Sequence, residues 1–128
     1  MKLRMKKNSI RFRLTQSEIK RLSDLGQIKE TINFGADFGG GFTYVLKVDP
    51  DATQVTAIAE SNIITVVLPR STAQSWIETD LIGLEADQSV GGGYKLRLII
   101  EKDFACLNPR PGEDQSDSFP NPNKDDLC

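Results

Sequence analysis

The sequence predicts an α+β domain made of two ββαββ units, with eight antiparallel strands closing into a barrel or strongly curved sheet and two helices. Three observations predict it. Apolar and polar residues alternate with period 2 in strand-length segments, two intervening segments carry helical spacing, and the pattern of residues 1–51 recurs in residues 52–104.

The elements follow in order. Leu3 and Met5 alternate with Lys2, Arg4 and Lys6, and Ile10, Phe12 and Leu14 alternate with Arg11 and Arg13, around a turn at Asn8-Ser9. That is a hairpin with one apolar and one cationic face. Thr15-Gln16-Ser17-Glu18 has the spacing of a capping box, Ile19, Leu22 and Leu25 follow at helical spacing, and Gly26 stops the helix. Strands over 27–34 and 42–49 flank the loop Gly35–Gly41. Strands over 54–60 and 62–68 turn at Ser61-Asn62, and Pro69 ends the second. A helix over 71–80 starts near Ser71 or Thr72, and strands over 84–88 and 94–103 surround Gly91-Gly92-Gly93.

The repeat rests on two overlays. Ile10, Phe12, Leu14, Ser17 and Leu22 fall on Ile64, Val66, Leu68, Ser71 and Trp76 at an offset of 54. Gly39-Gly40-Gly41-Phe42 and the strand after it fall on Gly91-Gly92-Gly93-Tyr94 and its strand at an offset of 52. One domain therefore occupies residues 1–104. Residues 105–128 form a proline-rich acidic tail with two readings, a disordered segment or a strap pinned by Phe104 and Phe119.

Histidine is absent from all 128 residues. This excludes Ser-His-Asp and Cys-His nucleophilic sites, histidine-ligated zinc and a histidine pH switch. The net charge of −2 conceals a polarity: residues 1–35 hold nine basic and three acidic residues, and the remainder seven and fifteen. Cys106 and Cys128 have no zinc-type spacing and leave a disulfide open but not implied. Neither a secretory leader nor an apolar run of membrane-spanning length is expected, so the expected setting is cytoplasmic.

The strongest constellation is cationic. Side chains at i and i+2 share a strand face, so Lys2, Arg4, Lys6, Arg11 and Arg13 belong on one surface. Lys47, Lys95 and Arg97 take polar positions on the later strands of each half. If these faces line one concavity they converge on an anion; the other reading is the solvated exterior of a half-buried sheet. Arginine and lysine together suit phosphate, one as a planar fork and the other as a point charge.

A duplicated eight-stranded barrel with a charged lumen resembles the CYTH, or triphosphate tunnel, superfamily. The resemblance implies a divalent metal (Mg or Mn) and hydrolysis or cyclisation of triphosphate-bearing substrates. It also implies a first-strand Glu-x-Glu-x-Lys motif. Here that strand reads Lys2-Leu3-Arg4-Met5-Lys6, so Lys6 matches the motif lysine while Lys2 and Arg4 stand at the acid positions. Glu101 and Asp103 are the counterparts of the late-strand metal acids. The opening Met-Lys-Leu-Arg, Asn8-Ser9-Ile10-Arg11 and the run from Cys106 to Pro122 also resemble a small uncharacterised bacterial family.

The glycine triplets lack a following Lys-Ser/Thr and sit between strands, so they read as turns and not phosphate loops. Glu113, Asp114 and Asp117 read as a solvated acidic segment, Cys106 as a core thiol, and Trp76 as a residue packed on the barrel. Two functions follow. The first is non-catalytic binding of a phosphorylated or polyanionic small molecule in a cationic barrel cavity. The alternative is a metal-dependent phosphohydrolase using Glu101 and Asp103. Nucleic-acid binding fits the basic hairpin but not the pI of about 5.1 or the sparse aromatics.

Overall fold

The computed structural model describes residues 1–105 and 111–122; Cys106 and Cys128 lie outside them. The elements run β1 (Lys2–Lys6), β2 (Ser9–Leu14), α1 (Gln16–Leu25), β3 (Gln27–Asn33), a short 3₁₀ turn (Ala36–Phe38), β4 (Gly41–Asp49), β5 (Thr56–Glu60), β6 (Ile63–Pro69), α2 (Arg70–Ile77), β7 (Gly83–Ser89) and β8 (Lys95–Lys102).

These strands do not form one antiparallel barrel. They make two four-stranded mixed sheets, β1-β2-β8-β7 and β3-β4-β6-β5. At the centre of each sheet the pairing is parallel, β2 with β8 and β4 with β6, between antiparallel hairpin partners. The two hairpins on either side of each helix enter different sheets, so no ββαββ unit exists in space. The tunnel expected from the CYTH resemblance is therefore absent. No backbone ladder joins β7 to β5 or β1 to β3 among the described residues. Those edges meet through side chains instead. The Gln88 carboxamide accepts a hydrogen bond from Ala57 N–H (2.7 Å) and donates one to Ala57 O (3.1 Å), which blunts the exposed edge of β5.

The register also differs from the glycine overlay. Phe12 pairs with Ile100 and Val66 pairs with Leu46, so β8 matches β4 at the same 54-position displacement that relates β2 to β6. The triplets Gly39–Gly41 and Gly91–Gly93 are consequently two residues out of step. They share turn chemistry, with positive φ at Gly39, Gly40 and all three of the second triplet, and not a structural position.

Alternation sets the faces as the sequence reads. Ile10, Phe12 and Leu14 are buried, as are Leu98 and Ile100 on β8 and Tyr44, Leu46, Val66 and Leu68 in the other sheet. They form one core between the sheets, with the Phe12 and Tyr44 rings 5.9 Å apart. Ile19 and Leu22 of α1 and Ala73 and Trp76 of α2 complete it, and Trp76 Nε1 donates to Ile82 O at 3.1 Å. Leu25 points away and is 71% exposed, so the apolar stripe of α1 is shorter than its spacing predicts.

Helix α1 begins where the capping box predicts, with Thr15 N–H donating to Glu18 Oε1 at 2.9 Å. It ends at Gly26, whose φ of 78° lets its N–H reach Leu22 O at 2.9 Å. Helix α2 runs Arg70–Ile77, starting directly after Pro69 one residue ahead of the expected Ser71 and ending three residues short of Asp80. The first hairpin turns at Lys7-Asn8 and not Asn8-Ser9, with Lys7 at φ 52°.

The described tail residues pack as a strap. Phe119 N–H donates to Asp103 O (2.8 Å), Ala105 N–H donates to Phe119 O (2.7 Å), and the Phe104 and Phe119 rings stand 6.1 Å apart. Asp117 accepts hydrogen bonds from Ser17 N–H and Ser17 Oγ at 3.1 and 2.5 Å, at the start of α1. Hydrogen bonds from the Ser17 and Thr15 side chains hold the Asp117 carboxyl below its ordinary range. Under the strap, Lys102 Nζ donates to Thr79 O at 2.6 Å and lies 5.6 Å from the Phe119 ring centre. Burial pushes the Lys102 pKa down against the opposing charge of Asp80.

Candidate functional site

Side chains at alternate positions of β1, β2, β8 and β7 leave the core and build the outer face of the first sheet. Its register gives three rows: Lys2, Arg13, Glu101, Gly83; then Arg4, Arg11, Ile99, Glu85; then Lys6, Ser9, Arg97, Asp87. The basic hairpin thus occupies one half of an exterior face and acids dominate the other. The cations do not line a lumen. Lys95 lies on the same face beyond the third row. Lys47 is exposed on the second sheet, paired between Gln27 and Val67, and is not brought to the others.

Like charges directly opposite on neighbouring strands repel, and Arg4 faces Arg11 while Lys2 faces Arg13. The structure relieves part of this. Lys2 Nζ lies 2.9 Å from the buried carboxylate of Asp103, and Glu101 Oε1 lies 2.6 Å from Arg13 Nε and 3.6 Å from Arg11 Nε. Glu101 can sit between two arginines because Gly83 stands opposite it. A Cβ at Gly83 would meet Ile100 O at 2.7 Å and Glu101 Cβ at 2.9 Å. Arg97 is held by Glu85 (2.5 Å) and Asp87 (3.6 Å). Arg4 and Lys6 have no carboxylate partner among the described residues.

The face contains two adjoining hollows. One, of about 330 Å³, is lined by Lys2, Leu3, Arg4, Arg11 and Arg13. The other, of about 210 Å³, is lined by Arg4, Lys6, Ser9, Arg11 and Ile99. Ser9 and Ile99 were not singled out from sequence. Ile99 carried a readable signal, since it is the one apolar residue in the outward series Lys95, Arg97, Ile99, Glu101. Glu101 and Asp103, the expected metal acids, are each engaged by cations, and no group of three or more acidic or thiol side chains converges as a metal site among the described residues.

A second charged cluster lies inside the molecule. The Met1 ammonium bonds the Glu18 carboxylate and, at 2.7 Å, Glu30 Oε1. The Tyr44 hydroxyl lies 2.8 Å from Glu30 Oε2 and 3.0 Å from Met1 O. Burial pushes the Glu30 carboxyl up, but hydrogen bonds from the ammonium and Tyr44 outweigh it and hold the group below its usual range. Burial, with the Glu30 hydrogen bond and charge, pushes the Tyr44 phenol up to about 12. These groups satisfy one another and tie Met1, directly ahead of β1, to α1, β3 and β4.

Fold and site together define a two-sheet α+β domain with a cationic hairpin on an exterior sheet face, and no described helix is long and apolar enough to cross a membrane. The chain belongs to DUF7009, a family of unknown function whose model matches residues 1–123. Neither the curated proteins nor the solved structures compared with it contain a match.

Proposed function

We propose that this domain is a binding module for a phosphorylated or polyanionic small molecule, seated on the outer face of the β1–β2 hairpin. The observation that carries the reading is the Arg4–Arg11 pair with Lys6 beside it. Three cations converge on one exterior patch, and Arg4 and Lys6 have no carboxylate partner among the described residues. An anion between them would remove the cross-strand repulsion that Asp103 and Glu101 relieve at Lys2 and Arg13 but, at 3.6 Å, only weakly at Arg11. A metal-dependent phosphohydrolase would require Glu101 and Asp103 to exchange their cations for a metal ion, which would return Lys2, Arg11 and Arg13 to mutual repulsion.

The test is thermal unfolding with inorganic tripolyphosphate. At a ligand concentration a hundred times Kd, stabilisation is about 2.7 kcal/mol, a rise of about 10 °C for a chain of this length. The rise should shrink with added salt and disappear in an Arg4→Ser/Arg11→Ser double variant of unchanged circular dichroism. A melting temperature that tripolyphosphate leaves unmoved, or a double variant that still responds, would overturn the proposal.

A further inference from the structure

We infer that the hollow bounded by Arg4, Lys6 and Arg11 selects a terminal phosphomonoester in its dianionic form over a phosphodiester; this rests on the binding role proposed above. The two ends of the cationic strip are chemically different. Around Lys2 and Arg13 the positive charge is answered internally by Asp103 at 2.9 Å and Glu101 at 2.6 Å. Toward the turn the charge is open. Arg4 and Lys6 are exposed and Arg11 is shared only at 3.6 Å with Glu101. The other charged groups of the face are Lys95, and Arg97 with Glu85 and Asp87, which are bound to one another. Lys7 stands in the turn beyond.

Three cations around one hollow match the three terminal oxygens of a phosphomonoester, whereas a diester presents two and carries one charge. Ser9 Oγ donates to Lys6 O at 2.6 Å, so its proton is committed and recognition falls to the three cations. Ile99 supplies an apolar ledge in the same hollow for the carbon that bears the phosphate. The chain has no histidine, the side chain whose ordinary pKa falls between pH 5 and 8. A phosphomonoester loses its second proton near pH 6. Binding that strengthens through this window therefore reports the charge on the ligand, and each added charge acts on all three cations.

The experiment is a chemical-shift titration of the full chain at low salt. Glycerol 3-phosphate serves as the monoester and dimethyl phosphate as the diester, each at pH 5.0 and 7.5, with Lys6→Gln and Arg4→Ser variants alongside. Glycerol 3-phosphate should bind about tenfold more tightly at pH 7.5 than at 5.0. Dimethyl phosphate should be weak at both, and either substitution should shrink the pH increment. Equal, pH-independent binding of both esters would overturn the inference and leave a general polyanion surface, with the proposed function intact. A pH increment that neither substitution changes would place the phosphate elsewhere and also overturn the inference. Failure of both esters and of tripolyphosphate would overturn both readings.

Discussion

Replacing Glu101 by glutamine should tighten anion binding at the β1–β2 face while costing little stability. Glu101 touches Arg13 at 2.6 Å and Arg11 at 3.6 Å, and all three side chains retain contact with solvent. Partly exposed pairs of this kind are worth about 0.2–1 kcal/mol each, so losing both contacts should cost roughly 2 kcal/mol at most. The effect on a ligand has the opposite sign. An anion seated over Arg4, Arg11 and Ile99 lies one side-chain repeat along β8 from Glu101, about 7 Å. At that distance, with an effective dielectric between 40 and 80, the repulsion is about 0.6–1.2 kcal/mol per ligand charge. For a dianion this amounts to roughly 1–2 kcal/mol, a fivefold to thirtyfold gain in affinity at low salt that diminishes as salt screens it. Isothermal titration of wild type and Glu101→Gln with glycerol 3-phosphate at about pH 7.5, where it is a dianion, at low and physiological ionic strength, measures it directly. Binding that weakens would refute the reasoning, because Glu101 would then be acting for the ligand, as a metal-bridging carboxylate does. Unchanged affinity at low salt would show that the anion sits away from this row.

Three further outcomes follow from other parts of the structure. Tyr44, raised to about 12, favours the folded state fully below the ordinary tyrosine pKa of about 10. About 2–3 kcal/mol of stability should therefore be lost as pH rises from about 10 to 12. Tyrosinate absorbance should show a late step that Tyr44→Phe removes, and ionisation of both tyrosines well below pH 11 would contradict this. Gln88→Ala should cost about 1–2 kcal/mol in urea unfolding, because Ala57 loses both side-chain partners. It should also raise self-association, measured by sedimentation, by unmasking the β5 edge. Asp117, held low by Ser17 and Thr15, anchors the strap above its unfolded pKa and should release it as pH falls through the lower folded value. Asp117→Ala should bring the same release to neutral pH, seen as faster hydrogen exchange in Phe119 and Ala105.

Much of the local structure was readable from residues close in the chain. The capping box at Thr15–Glu18, the stop at Gly26 and the alternation in Ile10, Phe12 and Leu14 depend on interactions over a few positions. The cationic set on β1 and β2 was readable for the same reason. The glycine triplets misled because a tight turn selects glycine through φ alone, whatever register follows it. The sequence reads Asp117 as one acid in a solvated acidic segment, whereas its capping of α1 depends on Ser17, a hundred positions earlier.

The sequence by itself determined which residues form strands, which face of each strand is apolar, and that any chemistry must run on lysine, arginine and carboxylates without histidine. Only the tertiary structure decided where those faces point. Strand partners are chosen by long-range burial: β2 meets β8 in parallel across most of the chain, and nothing in either strand's own alternation specifies that partner or its direction. That choice separated the hairpins into two sheets, set the basic face outside, and placed Glu101 between Arg11 and Arg13. The +6 excess of the first 35 residues is therefore partly neutralised at one end and open around Arg4 and Lys6 at the other.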